Sequence, residues 1–347
     1  MQLRFLIQRL GRRSMATSLI VLAASLCLNF SSAAQAAGPG QQNDFQGRRV
    51  LILGIDGCRR DLVEQSFKDG SVPHLAKIAA GSLAFYNMEA GGWPLGKLSQ
   101  PTISGPGWST LFTGVFANKH GVLGNGKKFE AGNFKDFPHY FRHIREAKPN
   151  AWLGSVVGDT WPEVNKILLA ASGEHLANCL TIASSEEVVE GETKRELTDG
   201  NVAREGVRCF IEENPDVLFL HFLDVDHAGH QFGFGPESHL YLSTFRKLDE
   251  HIGTVVQALE KRPQYKEESW LIIVTTDHGG IKRNHGGQSP EERQMFAFFN
   301  GPGFKPGEER TDRVFQTLVA PTVLDFLKVP IDPTWGFESQ PLPREDP

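Results

Sequence analysis

An α/β fold with a mostly parallel central sheet is predicted by three features of this 347-residue chain. Short apolar runs alternate with stretches of helical period, and no repeat of fixed length interrupts them. Three of the runs are followed at once by aspartate and histidine: Asp56 after 50–55, Asp226 and His230 after 217–223, and Asp277 with His278 after 270–274. In a parallel sheet those carboxyl ends share one edge, where open α/β sheets place ligands.

In chain order, Val50 to Ile55 is a strand of uniformly apolar residues, as expected for burial on both faces. Pro73 to Ala80 starts a helix with proline in its first turn. Ser109 to Thr113 opens a second helix, after an elbow rich in serine, glycine and proline. Trp152 to Val157 is a strand, and Val217 to Leu223, taken as an unbroken apolar run, is a central one. Apolar residues at 241, 245, 248, 252, 255 and 259 fall on one helix face. Trp270 to Val274 and Met295 to Phe299 are strands, Leu318 to Leu327 is a late helix, and the proline-rich tail from Pro330 is coil.

Composition is that of a globular protein, with 40% hydrophobic and 22% charged residues. The formal net charge of -5 and the lack of a long basic run give no basis for sequence-specific or tight nucleic-acid binding. Arg4, Arg9, Arg12 and Arg13 precede an apolar stretch from Met15 to Phe30, and Ala34-Gln35-Ala36 offers a small-residue cleavage site. Residues 1–36 therefore read as a signal peptide and 37–347 as one exported domain, periplasmic or extracellular, with no membrane span left after cleavage. Of the remaining cysteines, Cys179 and Cys209 could pair in an oxidising compartment, leaving Cys58 buried beside the first strand.

The stretch TTDHGGIKRNHGG at 275–287 places Asp277, His278 and His285 on glycine-rich backbone. With Asp56, Asp226 and His230 they make three carboxylates and three imidazoles, enough for two divalent ions. Zinc suits mixed histidine and aspartate ligation, and a zinc pair about 3.5 to 4 Å apart can grip both oxygens of an in-line displacement at phosphorus. A lone aspartate after a strand is most often a turn former. The joint placement is what points to metal. Ser104, followed by Gly105, Pro106 and Gly107, supplies a hydroxyl at an elbow ahead of a helix, where nearby helix amides favour an anionic phosphoryl group; Thr102, Ser109 and Thr110 are competing hydroxyls.

These segments resemble the alkaline phosphatase superfamily, and within it the type I phosphodiesterase/nucleotide pyrophosphatase family. The resemblance rests on GIDG at 54–57, PTISGPGWSTLFTGVFANKHGV at 101–122, DVDHAGHQFG at 224–233, TTDHGG at 275–280 and NHGG at 284–287, and it runs from about Arg48 to Pro302. It implies a three-layer α/β/α sandwich, one metal held by Asp56, Ser104, Asp277 and His278, and a second held by Asp226, His230 and His285. It further implies Ser104 as nucleophile, a covalent phospho-enzyme, and a small-molecule phosphoester as substrate.

Departures bear on the substrate. The resemblance leads one to expect threonine as nucleophile and a phosphate-binding asparagine three residues on, where this chain has Ser104 and Gly107. Asn125 could point into the site instead, or sit in an exposed turn. Sulfatases carry arginine in the frame occupied here by Trp108, which disfavours conversion of Ser104 to formylglycine. Trp93 and Trp108 could stack on a base or aromatic leaving group, or belong to the core. A phosphodiesterase or pyrophosphatase is expected; a phosphomonoesterase, a sulfatase, and a silent secreted protein with structural metals are the alternatives.

Overall fold

The computed structural model describes residues 45–126, 132–158, 178–182, 186–189, 192–195 and 198–345, with the backbone alone given for 178–182, 186–189 and 192–195. The signal-peptide reading falls on residues outside these. The described chain centres on a nine-stranded sheet. Its middle consists of β1 (Arg48–Ile55), flanked by the strands Ser269–Thr276 and Val217–Phe222, both parallel to it. Beyond Val217–Phe222 come Leu153–Gly158 and Asn178–Ile182, again parallel. On the other side Gln294–Asn300 runs antiparallel, followed by Leu83–Glu89 and short edge strands.

Alternation along β1 builds two cores. Val50 and Ile52 face one apolar layer together with Leu111, Phe112, Phe141 and Leu324. Leu51, Leu53 and Ile55 face another, with Leu62, Val202, Phe245 and Ile252. Helices thus cover both faces and the three-layer α/β/α sandwich is borne out. Each fully buried leucine or isoleucine in these strands contributes about 1.5–3 kcal/mol relative to exposure.

Register positions the site. Ile55 lies opposite Phe222 on one side and Thr276 on the other, so three central strands end level. The next residues along the chain are Asp56, Leu223 and Asp277.

Two sequence expectations need correction here. The run 217–223 is not continuous: His221 sits within the strand, fully buried. The helix expected from Ser109 begins at Ser104 and extends to Thr113 (called α3 below), every residue of it buried. Gly105, Pro106 and Gly107 disguise that start, since glycine and proline are poor helix formers. Pro106 is tolerated because its missing N–H would be unpaired in a first turn anyway. Gly107 is required by packing, because a Cβ there would stand 2.9 Å from the Asp277 carbonyl oxygen.

Candidate metallophosphoesterase site

Each predicted residue lands at the carboxyl edge of the sheet. Asp56 follows β1 directly, Asp277 and His278 follow Ser269–Thr276, and Asp226 and His230 lie one turn apart on the helix Asp224–Phe232. An i, i+4 spacing on a helix brings two side chains to one face, and His230 Nε2 stands 3.4 Å from Asp226 Oδ2. His285 arrives on a loop tied to the start of α3, through His285 Nδ1 to the Thr102 carbonyl at 2.9 Å and the Gly286 N–H to Thr102 Oγ1 at 3.1 Å.

Two overlapping clusters result. Asp56, Asp277 and His278 form one, and Asp226, His278 and His285 the other, the ligand atoms of each lying within 4.8 Å of one another. His278 Nε2 is 3.3 Å from Asp277 Oδ2 and 3.6 Å from Asp56 Oδ1. His285 Nε2 is 3.7 Å from Asp226 Oδ1 and 3.0 Å from His230 Nε2. All seven predicted residues therefore converge, Ser104 included. The bond from Ser104 Oγ to Asp56 Oδ1 and the approach of Oγ to His278 Nε2 are both 3.2 Å.

Hydrogen bonding fits these residues to cations. Nδ1 of His230, His278 and His285 faces the carbonyl oxygens of Arg283, Gly279 and Thr102 respectively. A carbonyl accepts only, so Nδ1 carries the proton and Nε2 turns its lone pair to the site. His230 and His285 then point two lone pairs at each other across 3.0 Å. Asp226 Oδ1 and Asp277 Oδ2 are buried without a hydrogen-bond donor among the described residues. An acceptor-only cluster of this kind is costly unless protons or metal ions fill it. Burial, reinforced by Asp56, pushes the Asp226 and Asp277 carboxyls well above the usual range. Burial lowers His278, and it lowers His285 to about 3.

Asp56 behaves differently. Burial raises its pKa, but hydrogen bonding to His221 and Trp108 and the neighbouring His278 outweigh that and hold the carboxyl below its ordinary value. Both donors were missed as site residues in the sequence. The signal for His221 was available, as a polar residue interrupting an apolar strand. Trp108 is no stacking platform: its ring is fully buried, and its indole N–H donates to Asp56 Oδ2 at 3.0 Å. Trp93, by contrast, is 45% exposed.

Asn125 is brought to the elbow, its Oδ1 accepting from the Gly105 N–H at 2.9 Å. Arg59 is committed to Asp61 and to the carbonyls of Phe234 and Gly280. Among the described residues Cys58 and Cys209 are buried thiols without a disulfide partner; the side chain of Cys179 lies outside those residues.

Residues 50–286 match the model of the type I phosphodiesterase/nucleotide pyrophosphatase family. The chain belongs to this family. GPI ethanolamine phosphate transferase 2 of Aspergillus fumigatus is 31% identical over 147 residues, covering 38% of this chain and 19% of that protein. GPI ethanolamine phosphate transferase 1 of Homo sapiens is 26% identical over 272 residues, 74% of this chain and 27% of that one. An uncharacterized pyrophosphatase/phosphodiesterase of Schizosaccharomyces pombe is 25% identical over 248 residues, 68% of this chain and 45% of that one. The chain spans less than half the length of each. A phosphonate monoester hydrolase from Silicibacter pomeroyi shares the fold, with a TM-score of 0.62 at 17% identity over 85% of this chain and 76% of that one. So does a 2-O GAG sulfatase, with a TM-score of 0.60 at 13% identity over 82% and 71%. The chain is thus a member of this family built on an alkaline phosphatase-like α/β/α fold.

Proposed function

We propose that this protein is an exported phosphodiesterase or nucleotide pyrophosphatase that uses Ser104 as nucleophile beside two divalent ions, zinc by preference. The observation that carries the reading is the position of Ser104 Oγ, 3.2 Å from both Asp56 Oδ1 and His278 Nε2, at the first turn of α3. Asp56, Ser104, Asp277 and His278 would hold one ion, and Asp226, His230 and His285 the other. When bound, these ions supply positive charge to the phosphoryl oxygens and favour the alkoxide form of a nearby hydroxyl.

The chain's own groups do the rest. Ser104 gives up its proton to solvent, its oxygen forms a bond to phosphorus, and the leaving oxygen departs with the electron pair of the broken P–O bond and takes up a proton from solvent. Water then attacks phosphorus from the vacated side and gives up a proton to solvent, while Ser104 leaves with the electron pair of its own P–O bond and takes up a proton from solvent, which restores the hydroxyl. The start of α3 directs backbone amide dipoles at the developing charge. Asn125, fixed through Oδ1 to Gly105, retains two amide donors for a non-bridging oxygen. A diester with a single negative charge suits this arrangement, since the guanidinium of Arg59 is already paired with Asp61.

Two of the named relatives are phosphate transferases, which supports a second reading: an alcohol in place of water in the final step. Incubation of the enzyme with a phosphodiester and ethanolamine or glycerol distinguishes the two by whether the product is free phosphate ester or a new diester. Export is supported by the basic and apolar segment ahead of Ala34-Gln35-Ala36. The secreted protein is expected to begin near Ala37, which N-terminal sequencing reads directly.

The test is Ser104→Ala, assayed with bis(p-nitrophenyl) phosphate, p-nitrophenyl phosphate and p-nitrophenyl sulfate. Turnover of the diester is abolished while metal content stays near two per chain. A variant that keeps most of its diesterase activity removes Ser104 from the nucleophile's place, and wild-type preference for the sulfate overturns the substrate class.

A further inference from the structure

We propose that His221 and Trp108 are positioning residues which tie down one oxygen of Asp56, so that its other oxygen is presented to metal and to Ser104. This rests on the reading of Asp56 as a metal ligand. The geometry divides the carboxylate in two. His221 Nε2 and the indole N–H of Trp108 both reach Oδ2 at 3.0 Å, from the neighbouring strand and from α3. Oδ1 is left facing Ser104 Oγ at 3.2 Å and His278 Nε2 at 3.6 Å. A carboxylate held by two donors on one oxygen cannot turn to chelate through both, and it offers a single fixed ligand atom.

The cost of the arrangement argues that it has a purpose. His221 is fully buried in a strand otherwise built of valine, leucine and phenylalanine, and its Nδ1 has no hydrogen-bond partner among the described residues. An apolar residue would pack there with no orphaned nitrogen. Trp108 stands edge-on to the imidazole, with ring centroids 5.1 Å apart, and is seated by the first glycine of GIDG. A Cβ on Gly54 would lie 2.6 Å from the indole ring and 2.8 Å from Phe219. Gly54 also pairs with His221 across the two strands. The glycine, the indole and the imidazole thus form one device around one oxygen. Asp226 and Asp277 lack it: each keeps a buried oxygen with no donor among the described residues. Groups hydrogen-bonded behind metal ligands in this way fix ligand orientation and affinity.

The experiment measures zinc affinity, by competition with a chromophoric chelator, for Asp56→Asn, His221→Leu, His221→Gln and Trp108→Phe. Thermal unfolding of each metal-free protein is recorded in parallel. Removal of either donor is expected to weaken zinc binding about 10- to 100-fold. Gln, which keeps an amide donor, should recover most of the loss at 221, and Phe keeps the aromatic bulk at 108 should His221→Leu fail to fold. A purely structural role would lower the metal-free melting temperature and leave zinc affinity near that of the wild type, which overturns the proposal. If Asp56→Asn itself leaves zinc binding intact, the metal-ligand reading of Asp56 fails instead.

Discussion

Gly57→Ala tests whether the site is held together by a single close approach. Gly57 follows Asp56 in the left-handed region at φ +62°, and a Cβ there would lie 2.4 Å from Asp226 Oδ1, 2.8 Å from its Cβ and 3.0 Å from its Cα. The backbone conformation alone costs an alanine about 1 kcal/mol. Because the clash includes main-chain atoms, the helix Asp224–Phe232 must give way, adding about 1–3 kcal/mol as overpacking does. Gly70 supplies the control: it has φ +69° with nothing within 4 Å of the added Cβ. Gly70→Ala should therefore show the backbone cost only, while Gly57→Ala loses roughly 2–4 kcal/mol in total. Any gain from stiffening the unfolded chain is common to both and cancels in the difference. Urea unfolding of the metal-free proteins gives the two values, and zinc titration should be weakened for Gly57→Ala alone. Equal costs for both variants, or unaltered zinc binding at 57, would refute the claim that this contact sets the spacing of Asp56 and Asp226.

Three further outcomes follow from named residues. His285→Ala should lower bound zinc from near two to near one per chain, read by atomic emission after dialysis, because it removes a ligand of the Asp226 side and leaves Asp56, Asp277 and His278 in place. Asn125→Ala should reduce kcat for a diester about 100- to 1,000-fold, the scale of a lost oxyanion donor, with little change in melting temperature. Burial holds the His120 imidazole at about 3 against an ordinary 6.5. The unfolded chain takes up this proton as pH falls below 6.5 while the fold refuses it until about 3, so stability present at neutral pH is lost across that window, roughly 4–5 kcal/mol in all. In His120→Gln that contribution is gone, and the unfolding free energy measured in urea from pH 7 to pH 4 should fall less steeply than in the wild type.

Much of the candidate site was legible because its residues obey two simple rules. Asp56 and Asp277 stand one step beyond apolar strands, and Asp226 and His230 are a helical turn apart, so residue type and spacing sufficed. Ser104 was legible from its glycine-rich surroundings, although the same glycines hid the true start of α3. Gly107 illustrates why: it answers to the Asp277 backbone 2.9 Å from its missing Cβ, a contact between residues far apart in sequence. His221 and Trp108 were passed over for a related reason. The histidine inside an apolar strand marks His221 as unusual, but the partner of both residues, Asp56, lies on another element, and neither local period nor local composition encodes that contact. The antiparallel placement of Gln294–Asn300 was likewise invisible, since a buried strand reads the same in either direction.

The shell is unequal in a way that follows from how each ligand is carried. Strand-borne Asp56 and Asp277, with His278 beside them, are completely buried, and their backbone is locked by sheet register on both sides of β1. Cys58 N–H bonds to Thr276 Oγ1, Gly57 N–H to Asp277 Oδ1, and Gln316 Nε2 to the Asp277 carbonyl, so this half of the site is braced from several directions. His230 is instead the most open member, its side chain 40% exposed near the end of a nine-residue helix, and His285 depends on a loop anchored mainly to Thr102. Rigid elements make precise sites and loops make adaptable ones. Ser104 hydrogen-bonds to the braced half, so under the proposed mechanism the nucleophile would be the most firmly fixed group, and the half nearer solvent, built by His230 and His285, would be the side that accommodates different leaving groups.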